Sequence, residues 1–448
     1  MSEAVKKKQT YFKRIFFFSI PLMLAGILQC LYNAADLIVV GRFNGEIALA
    51  AVGSTGSLTS LILGMFMGLS VGAGVCVAHG VGANNKKEVR ETLHTAIIVA
   101  FILGVAVGVI GFILAPRLLV LMGTPADVLD SASLYVKIIF LGSPASILYN
   151  YCASMLRASG DSKHPLIFLI ISGAANVVLN LIFVAIFGIG VAGVALATVI
   201  SQMLSVVLII RHFRHSTGIM HFSYKFLKIK KDKLKKILVI GIPSGIQSSL
   251  FALANVTIQS SVNSFGSTVM AGNSAAANID GFYYQAYHAF YDTSLTFVGQ
   301  SVGAKKFRSI KRILLACIVN ILLMGSVITV IGLIFKEALI GLYISDNPDA
   351  VAAASVRLVI MISTYFLCGI MEVGSGALRG MGRSVSSAVI SLICACLLRV
   401  VWLATVFKVF RYPEMIYVTY PISWLLTLVT LFIFLAIFLK KEIKRHGL

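Results

Sequence analysis

The chain alternates between long, predominantly apolar runs and short polar punctuation. Ala96 to Ala115, Leu166 to Phe187, Val191 to Ile210 and Ile313 to Phe335 are such runs, each about the ~20 residues that a helix needs to cross the hydrocarbon core of a bilayer. In lipid each backbone polar group must be satisfied within its own segment or a closed sheet, so apolar runs of this length predict helices. A membrane barrel would instead show ~10-residue segments of alternating polarity. The pattern predicts twelve spans, at about 15–40, 47–79, 93–115, 131–156, 166–187, 191–210, 237–264, 269–302, 313–335, 354–378, 386–407 and 415–439.

Composition agrees. Hydrophobic residues make up 58% of the 448 and charged residues only 12%, whereas soluble domains carry about 25% charged residues. The net charge of +21 resembles a nucleic-acid binder until the charges are placed. The termini and the loops between even and odd spans hold 30 of the 38 Lys and Arg. The other side holds seven (Arg42, Arg117, Lys137, Lys336, Arg357, Lys408 and Arg411), and Arg399 falls within a span. This asymmetry is the positive-inside pattern, which predicts that both termini and the loop around 211–236 are cytoplasmic. The basic run Lys225 to Lys236 then serves as a topology determinant beside anionic lipid. Lys6, Lys7 and Lys8 ahead of an apolar run resemble a signal-peptide start, but that run is too long and no small-residue cleavage site follows, so it reads as a permanent helix. All seven cysteines fall within spans and lack metal-ligand spacing, which predicts packing roles.

An internal repeat organises the chain. Ile20-Pro21 recurs as Ile242-Pro243, the Val77 to Ala83 segment recurs as Val298 to Ala304, and Leu156 to Ser162 recurs as Leu378 to Ser384, at shifts of 222, 221 and 222. Six helices per copy is an even number, so both copies insert in one orientation, and a substrate site is expected between or within them near mid-membrane. The expected fold is an all-α integral membrane protein of two six-helix lobes, 1–214 and 237–448, joined by a basic linker at 215–236. Gly64, Gly68 and Gly72 are expected to let the second helix pack closely on a neighbour. Pro21 and Pro243 are expected to kink the first and seventh helices at equivalent depths.

These residues resemble the multidrug and toxic compound extrusion (MATE) family. The resemblance rests on the stretch from Ile20-Pro21 through Asp36 to Gly41, the Val-Gly-Ala loop, the Leu-Arg-Ala-Ser-Gly-Asp loop and the 6+6 repeat, and it spans essentially the whole chain. It implies a V-shaped pair of lobes that exports organic cations or other amphipathic compounds by alternating access, driven by inward movement of protons or sodium.

Ionisable groups deep in apolar segments are costly and therefore functional candidates. Asp36, Asp280, Asp292 and Glu372 are the acids so placed. No basic residue precedes Asp36 within its span. A carboxyl taken out of water without a cationic partner favours its neutral form, so such a group can take up and release a proton near neutral pH. It equally suits sodium, which takes oxygen ligands as other hard cations do. Asn176 and Asn180, spaced i and i+4, share one face of the fifth helix, and Thr198 in the sixth adds a hydroxyl. Together they would cage a monovalent cation, or the amides merely bond neighbouring helices. The MATE resemblance implies an ion site at these four positions, with one departure: some members carry a second aspartate where this chain has Asn180. Proton and sodium both remain open.

The second half differs. Some family members place acids in helices 7 and 10, but the helix 7 stretch here, Ala254 to Thr257, has none. Glu372 has a possible ion-pair partner in Arg399, in a structural or gating role. Asp280, Tyr284, Tyr287 and Tyr291 form one stripe along the eighth helix, flanked by His288 and Asp292. Aromatic faces beside carboxylates attract organic cations, and they also pack cores. The expected partners are a small cationic or amphipathic molecule and membrane lipid, with no nucleic acid, no catalytic residues, no metal and no cofactor beyond the coupling ion. A monomer in the cell membrane is expected. The rival readings are a lipid-linked-precursor flippase, opposed by the single clear cation within a span, and an intramembrane enzyme. The latter has only His288 with Asp292 to offer as a reactive pair.

Overall fold

The computed structural model describes residues 3–344 and 347–447. Among the described residues there is no strand. The chain begins with a helical stretch, Glu3–Gly82, that breaks only at Gly45 (φ 78°, ψ −173°), a conformation that favours glycine. The break yields α1 (residues 3–44) and α2 (residues 46–82). There follow α3 (Lys86–Leu121), α4 in two pieces (Ala126–Leu141 and Ser143–Ala158), α5 (Lys163–Asn180), which continues as a π-helical turn over Leu181–Ile186, and α6 (Val191–His215). The second set is α7 (Lys231–Asn263), α8 (Ser267–Gly303), α9 (Phe307–Ile334), α10 (Pro348–Gly380), α11 (Ser384–Val409) and α12 (Pro413–Arg445). The two pieces of α4 meet at 49°. The twelve-helix, 6+6 architecture predicted from the hydropathy pattern is therefore present. Among the described residues ten helices are long and apolar enough to span a bilayer, and the bent α4 makes an eleventh. The remaining one, α8, is 37 residues long but rich in Ser, Asn and Tyr.

The repeated motifs are repeated turns. Among the described residues, Asn84 (φ 51°) and Lys305 (φ 57°) are the two non-glycine residues with positive φ, and they occupy matching places after α2 and α8. Each turn closes with the same bonds. The Asn85 N–H donates to the Gly80 carbonyl at 2.9 Å, and that of Lys306 to Ser301 at 2.8 Å. After α4 and α10 the left-handed position is Gly160 (φ 101°) and Gly382 (φ 78°). There Asp161 N–H donates to the Leu156 carbonyl at 3.2 Å and Arg383 N–H to that of Leu378 at 2.9 Å. These are the 6→1 bonds of helix C-caps, which satisfy carbonyls that the helix end leaves open.

The chain packs as two units, and these differ from the sequence halves. One comprises residues 27–249 and the other residues 1–26 with 250–448. The chain thus passes from one unit to the other inside α1 and again inside α7, a few residues after Pro21 and Pro243. Both prolines lie inside helices, where each removes a backbone donor. In the second unit Ile15, Phe18, Leu22 and Met23 of α1 join the core of α8, α9, α10 and α12. Arg14 lies over the Phe297 ring at 5.3 Å. In the first unit the start of α7 crosses α2 at two pairs of glycines. A Cβ on Gly68 would strike the backbone of Gly245, and one on Gly72 the carbonyl of Ile237. One on Gly241 or Gly245 would strike the carbonyl of Leu69 or Met65. Both helices therefore contribute a Gly-x-x-x-Gly face. Gly64 takes no part, because a Cβ there would meet nothing within 4 Å.

The linker is tied down on the first unit. Glu88 of α3 accepts from Lys233 at 3.1 Å and Lys236 at 3.3 Å. The Lys230 N–H donates to Thr95 Oγ1 at 3.1 Å, and His94 stacks on Phe222 with ring centroids 5.1 Å apart. All seven cysteines are free thiols.

The glycine crossing should be intolerant of side chains. Gly241→Val or Gly68→Val is expected to cost about 1–3 kcal/mol through forced separation of the helices, seen as a lower melting temperature in detergent. Gly64→Ala should leave it unchanged. Equal melting of all three variants would show that this crossing does not limit stability.

Candidate functional site

The Asp36 cluster is built where α1 lies along α5 and α6 within the unit of residues 27–249. The contact is close because α5 presents Gly173 to the ring of Tyr32, where any Cβ would collide. One turn beyond Tyr32 comes Asp36, and beyond Gly173 on the same face of α5 come Asn176 and Asn180. Both asparagines are buried, at 6% and 0% exposure. Asn180 Nδ2 donates to Asp36 Oδ1 at 2.5 Å and reaches Asn176 Oδ1 at 3.2 Å. Thr198 Oγ1 lies 3.5 Å from Asp36 Oδ2 and 3.0 Å from the Val194 carbonyl. Asn176 Nδ2 donates to Thr198 Oγ1 at 3.4 Å. The four residues expected together are together, in one hydrogen-bonded chain.

Two further features mark this cluster. Asn180 Oδ1 is buried and has no hydrogen-bond partner among the described residues, which is costly in a protein interior. Directly after Asn180 the helix widens into its π turn, Leu181–Ile186, a local irregularity found frequently at functional sites. Among the described residues no Lys, Arg or His forms an ion pair with Asp36. A carboxylate, an unpartnered amide oxygen, a second amide and a hydroxyl thus converge with no built-in cation.

In the other unit the structure corrects several expectations. Asp280 is not a free carboxylate facing substrate. It is 4% exposed, and Arg357 grips its Oδ2 through Nη2 at 2.8 Å and Nε at 2.9 Å. Arg357 Nη1 also donates to Asn273 Oδ1 at 2.5 Å. The hydropathy count assigned Arg357 to the outer flank, yet α10 starts at Pro348, with Asn347 capping it through Ala350 N–H. That start carries Arg357 into the packed part of the helix, where it is 8% exposed. The Asn-Pro-Asp sequence at 347–349 was the signal that could have placed it.

The aromatic stripe of α8 splits in two. Tyr287, 2% exposed, belongs to the core, where Tyr283 and Tyr287 each stack on Tyr365. Tyr284, His288 and Tyr291 form a separate ladder, with centroids 5.3 and 5.0 Å apart. Tyr291 is 4% exposed, and its hydroxyl accepts from Arg379 Nη1 at 2.6 Å. Of the expected contact tyrosines only Tyr284 is open, at 39%. Asp292 is half-buried.

Glu372 and Arg399 do not pair with each other. Glu372 lies 3.6 Å from His288 Nδ1. Arg399 is buried, donates from Nε to Ser423 Oγ at 3.0 Å and sits over the Tyr420 ring at 4.3 Å. A π-helical stretch, Leu392–Leu397, ends two residues before it. Arg399 is also not the lone cation of the interior, since Arg357, Arg379 and Arg399 are all buried. Each is occupied by its own partners rather than presented to an open cavity.

Comparison with known proteins fits this geometry. The sequence model of the MatE family matches residues 21–182 and 243–405, the two halves in turn. The chain is 28% identical over 394 residues to the probable multidrug resistance protein YoeA of Bacillus subtilis, covering 86% of this chain and 85% of that one. It is 22% identical to the multidrug export protein MepA of Staphylococcus saprophyticus, with 86% and 85% covered. Its fold is like that of an outward-facing multidrug resistance MATE family transporter of the MOP superfamily, with a TM-score of 0.90, 20% identity and 97% of each chain covered.

The Asp280–Arg357 pair makes a stability prediction. Asp280→Asn or Arg357→Met alone leaves one buried charge uncompensated and should cost about 3–5 kcal/mol. Asp280→Asn with Arg357→Met together should cost less than either single change. Thermal melts of the purified variants check this, and additive losses would count against the pairing.

Proposed function

We propose that this chain, which belongs to the MatE family, is a secondary active antiporter that exports organic cations or other amphipathic compounds by alternating access. Inward movement of protons or sodium at Asp36 provides the coupling. The observation that carries the reading is the Asp36 cluster: a carboxylate inside a predicted span, hydrogen-bonded to Asn180, beside a buried amide oxygen that has no partner. Such a site can exist with a proton or a small cation on the carboxylate and change its partners when that charge leaves.

The names of the relatives support multidrug export as the task. On this reading the protein transports and does not catalyse, sits in the cell membrane with both termini cytoplasmic, and works as a monomer surrounded by lipid. The substrate contacts are narrower than the sequence stripe suggested. Tyr284, with His288 and Glu372 behind it, is the accessible aromatic and acidic set of α8 and α10, and it suits a cation through ring faces and charge.

The test is transport by the purified chain in liposomes, following a fluorescent organic cation under an imposed proton gradient and then a sodium gradient. Wild type should transport under one gradient, and Asp36→Asn should fall to the rate of protein-free liposomes. Asn180→Ala removes the buried amide oxygen, which a sodium ion can use as a ligand and a proton on Asp36 cannot. If sodium is the coupling ion, its concentration for half-maximal rate should therefore rise roughly tenfold or more, whereas a proton-coupled carrier should show no such rise. Full activity of Asp36→Asn would remove Asp36 from the mechanism, and no transport by wild type under either gradient would favour the flippase reading.

A further inference from the structure

The unit of residues 27–249 carries a second set of convergent donor atoms, at the basic side of the bundle and away from Asp36. It comprises Asp161 in the turn after α4, His164 in the first turn of α5 and His212 near the end of α6. Their ligand atoms all lie within 4.8 Å of one another. Asp161 Oδ2 is 2.6 Å from His164 Nδ1 and 3.9 Å from His212 Nε2. The two imidazole rings lie with centroids 4.2 Å apart and are tilted by 40° to one another. Phe168, one turn along α5, flanks them at 6.0 and 5.8 Å.

The carboxylate is aimed by the backbone. Gly160 turns the chain with φ 101°, and Asp161 Oδ1 then accepts the N–H groups of Lys163 and His164 at 3.2 and 3.1 Å. One oxygen is thereby committed to the start of α5 and the other points at the imidazoles. Hydrogen bonds of this kind orient metal-ligating carboxylates. The matching turn of the other half is instructive. There Arg383 replaces Asp161 and pairs with Glu442 near the end of α12 at 3.4 Å. Each half thus ties the turn after its fourth helix to the end of its sixth. One does so with an ion pair, and the other with a carboxylate and two imidazoles, a set that a cation would complete.

We propose that Asp161, His164 and His212 bind a divalent transition-metal ion of the zinc class. Two imidazoles and one carboxylate are ligands that zinc and its neighbours take, with metal–ligand distances of about 2.0–2.2 Å. Around a tetrahedral ion that places donor atoms roughly 3.3 Å apart, between the 2.6 and 3.9 Å separations observed here. Three protein ligands leave a fourth position for water. The side chains are 27%, 44% and 27% exposed for Asp161, His164 and His212, so an ion reaches them from solvent. The site therefore binds reversibly and fastens α5 to α6 when filled.

The test uses the purified full-length chain carrying a tag without histidine, titrated with zinc chloride by calorimetry and with cobalt chloride by visible absorption. One equivalent of zinc should bind, and cobalt should give the absorption of an imidazole-ligated ion. His164→Gln and His212→Gln should each weaken zinc by about tenfold or more, whereas His215→Gln, outside the cluster, should not. Asp161→Asn, checked for a monodisperse elution profile, should weaken zinc likewise and serves in place of a histidine variant that folds poorly. Absence of zinc binding by wild type overturns the proposal, as does unchanged binding by the His164→Gln, His212→Gln double variant. Neither result bears on transport at Asp36.

Discussion

A polar group carried into hydrocarbon must find its partner inside the protein, and most of the interior chemistry of this chain follows from that requirement. Arg357 has Asp280 and Asn273, Arg379 has the Tyr291 hydroxyl, and Arg399 has Ser423 and the face of Tyr420. Each arginine is answered locally by a residue on another helix, which fixes the pairing of those helices. Against this background the Asp36 cluster stands apart. Among the described residues its carboxylate is answered by neutral donors, and one amide oxygen beside it has no partner. That incompleteness is what makes it fit to take and release a charge.

Much of this was legible in the sequence, and the reasons differ from residue to residue. The spans were readable because hydrophobic length is a one-dimensional property. Asn176 and Asn180 were readable as a pair because helical periodicity fixes their common face, and Asp36 because no basic residue precedes it in its span. The pairing of Asp280 was not readable because its partner lies 77 positions away, and periodicity carries no information about contacts between helices. Tyr284 and Tyr287 share the stripe, yet one faces outward and the other packs on Tyr365. A difference of three residues on a helix is a rotation of about 60°, and the sequence does not say where the neighbouring helix lies.

The repeat shows which parts of a duplicated design are kept by geometry and which are free to drift. The left-handed turns after α2 and α8, and after α4 and α10, are the same to within a few tenths of an ångström in their hydrogen bonds. They are constrained by how a helix must end. The side chains hung on them are not so constrained. Asp161 corresponds to Arg383, and Asn176 lies close to the counterpart of Arg399. One half gathers amides and a carboxylate around α5, and the other places an arginine near the corresponding level of α11. Both α5 and α11 interrupt their regular winding with a π turn, α5 directly after Asn180 and α11 two residues before Arg399.

The exchange of helix segments at residues 26–27 and 249–250 has a consequence for how the protein is made. Chains emerge N-terminus first, and domains fold as units when their residues are available. The first six helices leave the ribosome without the segment of α7 that carries Gly241 and Gly245, so α2 has an uncovered glycine face until synthesis passes the linker. The opening residues of α1 wait longer still, for partners that arrive only with α8 to α12. The final packing of each unit therefore includes a segment from the other half of the sequence, and neither unit has all of its residues when the first six helices have been made.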